Sequence, residues 1–226
     1  MSAGISRKEL KRDELVDATL DAGRWIERHG RTAGVAALLV VVAGLGFLGW
    51  RWNAERREAR AAESLAEGER LYRKAEETGF PKADVERALE SFGRAVELGG
   101  TGPAGRLAGY WHGAALHRLG REAEAAAELE RIYASPATPP TLAGSAKALA
   151  AEALAAAGQR EPAAALLEEL AAADPEIFPA DQALAALASL REQSGDTAGA
   201  RQARQSILDR FPGRSTAADA RERLGS

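Results

Sequence analysis

Cysteine is absent from this chain, which removes thiol nucleophiles, Cys-based zinc sites and disulfides together. The compartment stays open, because a Cys-free chain is stable on either side of a membrane. Aromatic residues are only 5% of the sequence, and no β-branched alternating runs occur outside one apolar stretch, so strands have little to be made from. An excess of one charge is missing as well. With 30 basic and 33 acidic residues the net charge is -3, and there is no polybasic arm, so nucleic acid is not an expected partner. His29, His112 and His117 have no carboxylate or second histidine at i+3 or i+4, the spacing of a helical metal pair. The stretch Gly99-Gly100-Thr101-Gly102 lacks the following Lys and the preceding strand of a phosphate-cradling loop. Glu122 with Glu124, and Glu168 with Glu169, fall on helices whose other faces are apolar, where solvated charge is expected rather than acid-base catalysis. These absences point away from an enzyme, a cofactor, a metal and a small-molecule substrate.

What the chain does have is a 19-residue run without charge, residues 32–50, between Arg31 and Arg51. As a helix it spans roughly 28 Å, close to the thickness of a bilayer's hydrocarbon core. Trp50 and Trp52 stand at its C-terminal end, suited to the headgroup zone. The expectation is a transmembrane helix. A cleaved signal peptide would end near Ala59-Arg60-Ala61, but the run is too long for a signal core, a 31-residue tail precedes it, and Arg51, Arg56 and Arg57 intervene. An uncleaved signal anchor fits better. Local charge is nearly balanced across the run, whereas the short N-terminal tail holds seven basic residues, which places it in the cytoplasm and the long C-terminal part outside.

Four segments follow: a helical tail at 1–31, the membrane helix at 32–50, a helical stalk at 51–60 and an all-α domain at 61–226. In the tail, Ser6 and Glu9 form a capping box, flanked by the staple positions Ile5 and Leu10. Leu15, Ala18, Ala22 and Ile26 then trace one helix face, and Gly30 is placed to end the helix. Such an amphipathic helix fits a membrane-surface or partner-docking role and a solvated spacer equally well.

Beyond residue 61 the glycines reveal a repeat. Gly120, Gly158 and Gly195, spaced 38 and 37 residues apart, each close one helix and precede another. A small residue stands seven before each (Gly113, Ala151, Ala188), an alanine five after (Ala125, Ala163, Ala200) and an apolar residue twelve after (Ile132, Leu170, Ile207). Leu129 and Leu167 lie nine after the first two, and Pro175 and Pro212 seventeen after the last two. An earlier unit with Gly68, Ala88, Phe92 and Ala95 fits if about eight residues around 79–85 are inserted in its turn. A last helix at 215–224, opening on a near capping box from Thr216 to Asp219, is expected to cover the end of the stack.

The pattern resembles the tetratricopeptide repeat, which implies an α-solenoid of stacked helix pairs. Together with the signal anchor it resembles the YfgM-type family of bacterial inner-membrane proteins, and the ending from Leu208 to Leu224 is also similar to the repeats of BamD/CpoB-type envelope proteins. The first resemblance implies a membrane-anchored protein–protein interaction scaffold on the periplasmic side, with the Sec translocon, periplasmic chaperones or unfolded clients as partners. The second implies a structural envelope-assembly or cell-division adaptor with one fixed partner. In the register of Gly113, Ala151 and Ala188, the slots three before, one after and four to five after face the concave side. They hold Tyr110, Ala114, His117 and Arg118, then Ala148, Glu152, Ala155 and Ala156, then Ala185, Ser189, Glu192 and Gln193. Among them Tyr110, His117, Arg118, Glu152, Ser189, Glu192 and Gln193 are the candidate protein-binding residues, the other reading being plain solvated helix faces.

Overall fold

The computed structural model describes the backbone of residues 7–225 and the side chains of residues 34, 35 and 38–225. Among them the regular elements are all helices: α1 (Arg7–Glu77), α2 (Lys82–Gly99), α3 (Pro103–Arg118), α4 (Glu122–Tyr133), α5 (Pro140–Ala156), α6 (Arg160–Ala172), α7 (Ala180–Gln193), α8 (Thr197–Arg210) and α9 (Ser215–Gly225). The chain divides into two compact units, Met1–Glu55 and Arg56–Ser226.

In the first unit α1 starts at Arg7, where the tail helix is expected. The capping box, the staple pair and the apolar stripe of the tail lie outside the described residues. Gly30 does not end the helix, because α1 runs on through it. A lone glycine costs about 1 kcal/mol relative to alanine but keeps its N–H in the ladder, and no proline follows to break it. The described side chains of the apolar run are exposed, Val40 at 72% and Trp50 at 68% among them. Among the described residues no helix is long and apolar enough to cross a membrane. Residues 32, 33, 36 and 37 of the run fall outside that set.

The second unit is a succession of helix pairs, consistent with an α-solenoid. The part of α1 after residue 55 pairs with α2, α3 with α4, α5 with α6 and α7 with α8, while α9 closes the end. Each helix packs on the next, and α3 also meets α5 as α7 meets α9. Odd-numbered helices therefore line one side of the stack, the side on which the register expects the concave positions.

One turn recurs in every pair. Gly120, Gly158 and Gly195 have φ of 73°, 80° and 81°, a left-handed conformation that glycine adopts without a Cβ penalty. At the first of these, Gly120 N–H donates to the His117 carbonyl and Arg121 N–H to the Leu116 carbonyl, at 2.9 and 3.0 Å. These two bonds satisfy carbonyls that a helix end would otherwise leave orphaned.

Gly79, with φ of 78°, makes the same turn between α1 and α2, its N–H and that of Phe80 reaching the Glu76 and Ala75 carbonyls. This corrects the expected insertion in the loop. Gly68 stands eleven residues before its turn glycine instead of seven, and Ala88 nine after instead of five. Each helix of the first pair is thus one turn longer, and four added residues, near the helical period of 3.6, leave every side chain on its original face. The contact across the pair confirms the equivalence: a Cβ on Gly68 would lie 2.6 Å from the Phe92 ring, as one on Gly113 would from Leu129.

The compact unit begins at Arg56, within the expected stalk. Glu58 ties this stretch to the stack, since its Oε1 accepts a 2.7 Å bond from Ala104 N–H. A carboxylate there meets both an orphan donor and the positive end of α3. At the other end the expected capping box of α9 does not form: the Thr216 hydroxyl donates to Asp181 at 3.0 Å. Asp181 is buried at the start of α7, where an unsatisfied carboxylate is costly. Ala217 and Ala220 then pack on Leu170, Leu184 and Ile207, so α9 does cover the stack.

Candidate functional site

The spacing of the odd-numbered helices decides where their face opens. The backbones of α3 and α5 meet directly, whereas those of α5 and α7 stay largely apart. Between α5 and α7 lies a cavity of about 340 Å³ lined by Ala151, Glu152, Ala155, Ala156, Ala186, Ser189 and Gln193, with Leu167 and Leu190. Five of these nine residues are among the expected concave positions, drawn from two successive pairs. Small side chains leave the volume unfilled, and the Glu152 and Gln193 side chains stand exposed at its edge. Gln193 donates to the Ser189 hydroxyl at 3.2 Å, one helical turn back.

A second cavity, about 150 Å³, sits at the end of the stack against α9 and includes Ala185, Ser189 and Glu192. It is charged. The Glu192 carboxylate pairs with Arg204 of α8 and lies 3.8 Å from Arg223 of α9. Arg204 holds the slot that Phe92, Leu129 and Leu167 fill in the earlier pairs, and its side chain is 13% exposed. Its aliphatic stem follows the apolar slot while its head reaches the carboxylate.

The expected residues of the second pair stand outside both cavities. Ala114 is buried, so it offers no open surface. His117 is paired with Glu122 across the turn between α3 and α4, a partner five residues away. That contact escapes the i+3 and i+4 spacings of a single helix, because the turn glycine brings the next helix's first residue back. The Arg118 guanidinium lies 4.2 Å from the centre of the Phe80 ring. Tyr110 is half-buried, edge-on to Trp111 at 5.4 Å between centroids. Burial, followed by the charges of Glu152 and Tyr72, holds its hydroxyl above the usual tyrosine range. The structure thus places Glu152, Ser189 and Gln193 together, Glu192 with Ser189 at the capped end, and Tyr110, His117 and Arg118 in internal contacts.

The register also has a first-pair equivalent, which lies beyond the expected site residues. Counting from Gly68, the slots one, four and five after are Glu69, Tyr72 and Arg73. With Glu76 and Trp111 they line a further cavity of about 270 Å³. The sequence signal for it is Gly68 itself, once its role opposite Phe92 is recognised. Among the described residues no group of three or more His, Asp or Glu side chains is placed to hold a metal ion. No protein-family model matches this chain, and no curated protein matches it.

Proposed function

We propose that the chain is a membrane-anchored protein–protein interaction scaffold, its helix pairs outside a bacterial inner membrane and its N-terminal tail in the cytoplasm. The observation that carries this reading is the open, alanine-lined groove between α5 and α7, with polar Glu152, Ser189 and Gln193 at its edge. A groove of this kind accepts an apolar side chain from a partner helix or extended segment, while the polar edge sets orientation. The apolar run at residues 32–50 supports the anchor, and its length and charge-free character support a single span. Tethering would raise the effective concentration of a partner confined to the same membrane, so that shallow contacts suffice. The tetratricopeptide-like register, and with it the resemblance to YfgM-type proteins, favours the Sec translocon, periplasmic chaperones or emerging clients as what the groove holds.

Photo-crosslinking in intact cells tests the proposal. A crosslinker at Gln193 should capture translocon subunits, chaperones or clients, and one at the exposed Arg201 of α8 should not. One stoichiometric envelope partner at Gln193 would replace the reading with a fixed adaptor. Equal capture from both positions would remove the groove from the function. A C-terminal alkaline phosphatase fusion should be active, and an inactive fusion would place the repeats in the cytoplasm and sink the translocon reading.

A further inference from the structure

The extra helical turn of the first pair carries α1 past the point where the other inner helices stop, and Glu76 belongs to that extension. The result is a cavity unlike the alanine groove. Tyr72 and Trp111 form its aromatic wall, their ring centroids 5.7 Å apart and tilted at 54°. Phe80 and Phe92 hold Tyr72 from behind at 5.4 and 6.3 Å. Along α1, Glu69, Arg73 and Glu76 complete the lining, so two carboxylates face one guanidinium. Among the described residues none of these three makes a hydrogen bond or ion pair through its side chain. Charges around the other two cavities are matched in part: Glu192 by Arg204, Glu168 by Arg191, Glu169 by Lys147.

We propose that this cavity receives a single lysine or arginine side chain of a partner polypeptide. Its volume of about 270 Å³ is below the roughly 300–1,000 Å³ of small-molecule sites and suits one long side chain. The aliphatic stem packs on the aromatic wall, the cation meets the ring faces of Tyr72 and Trp111, and Glu69 and Glu76 supply the opposite charge. Arg73 stands four residues after Glu69 and three before Glu76, in reach of both along the helix, and therefore competes with the incoming cation. The inference rests on the scaffold reading and adds to it a basic residue as the partner's determinant.

The test uses the full chain in detergent, with Trp25, Trp50 and Trp52 replaced by Phe so that Trp111 is the only indole. The probe is the peptide acetyl-Ala-Leu-Lys-Leu-Ala-amide, and the control carries norleucine for Lys. A saturable change in Trp111 emission is expected with the Lys peptide, and binding at least fivefold weaker with norleucine. Glu69→Gln with Glu76→Gln should weaken the Lys peptide about fivefold, and Arg73→Ala should tighten it about twofold. Equal binding of the two peptides overturns the proposal, as does an unchanged Lys affinity in the Glu69→Gln/Glu76→Gln variant with a normal melting curve. Capture from Gln193 in cells is read separately: if it persists while the peptides fail to discriminate, the basic-residue inference falls and the scaffold reading stands.

Discussion

The first and last helix pairs solve the same packing problem with opposite residues. In the first, Gly68 lets the Phe92 ring approach to within van der Waals contact of the α1 backbone, and Phe92 is fully buried. In the last, Ala188 shares its surroundings with Arg204, whose head leaves the slot to pair with Glu192. Between them the slot holds Leu129 opposite Gly113 and Leu167 beside Ala151. Apolar bulk at this one position falls along the chain, and the size of the small partner does not decide where a cavity opens. The aromatic pair builds its cavity from rings and charges and the third pair builds its own from missing side-chain volume. A solenoid whose units touch only their neighbours can vary each contact in this way without disturbing the next.

The largest expected effect follows from that gradient. We predict that Phe92→Ala costs about 3–5 kcal/mol, as for a buried aromatic with no atoms free to collapse into its space. Arg204→Leu should stay within about 1 kcal/mol of the parent, because Glu192 keeps water and the nearby Arg223 as partners. Denaturant midpoints of the two variants measure the difference. Similar losses at both positions would show that the slot is uniform and the gradient has no energetic meaning.

A sharper probe is the sign of a single methyl group at two glycines of the first pair. Alanine is favoured over glycine in a helix by about 1 kcal/mol. At Gly93 the new Cβ would meet the His112 ring at 3.7 Å, an ordinary contact, so Gly93→Ala should stabilise by about 0.5–1 kcal/mol. At Gly68 it would lie 2.6 Å from two ring carbons of Phe92, so Gly68→Ala should destabilise by about 1–3 kcal/mol. Melting temperatures that move in the same direction would refute the close approach.

The smallest effect is a dependence on pH confined to the same region. Burial, then the charges of Arg121 and Arg131, lower the pKa of His112 despite an opposing pull from Glu124. Its folded form therefore resists protonation more than its unfolded form does, near 6.5. The associated stability is fully present above about pH 6.5 and is lost as pH falls toward the lower folded value. His112→Asn should flatten the melting temperature between pH 7.5 and 5.5 relative to the parent. A parent whose stability rises over the same acid range would contradict the sign.

Much of the core between paired helices is legible in the residues alone, for a reason particular to repeats. A turn glycine, a small residue seven before it and alanine five after it restrict one helix pair so strongly that Ala125, Ala163, Ala200, Ile132, Leu170 and Ile207 fall in the core as the register requires. The first pair escapes this logic because its extra turns mimic an inserted loop. Added helix and added loop have the same length in sequence, and only the position of Gly79 separates them. Register alone assigns His117 and Arg118 to an open surface: Arg118 is exposed, with its guanidinium over Phe80, while His117 is half-buried against Glu122.

The sequence by itself determined the helical class, the pair boundaries and the charge-free run at residues 32–50, because these depend on local propensity, on glycine and proline, and on composition. Tertiary structure decided which inner slots open. Glu152 and Gln193 share a cavity because α5 and α7 stay apart, Ala114 is buried, and Tyr72 packs against Trp111. Those outcomes turn on distances between helices, and such distances follow from the packing of all the side chains between two backbones together rather than from any one residue.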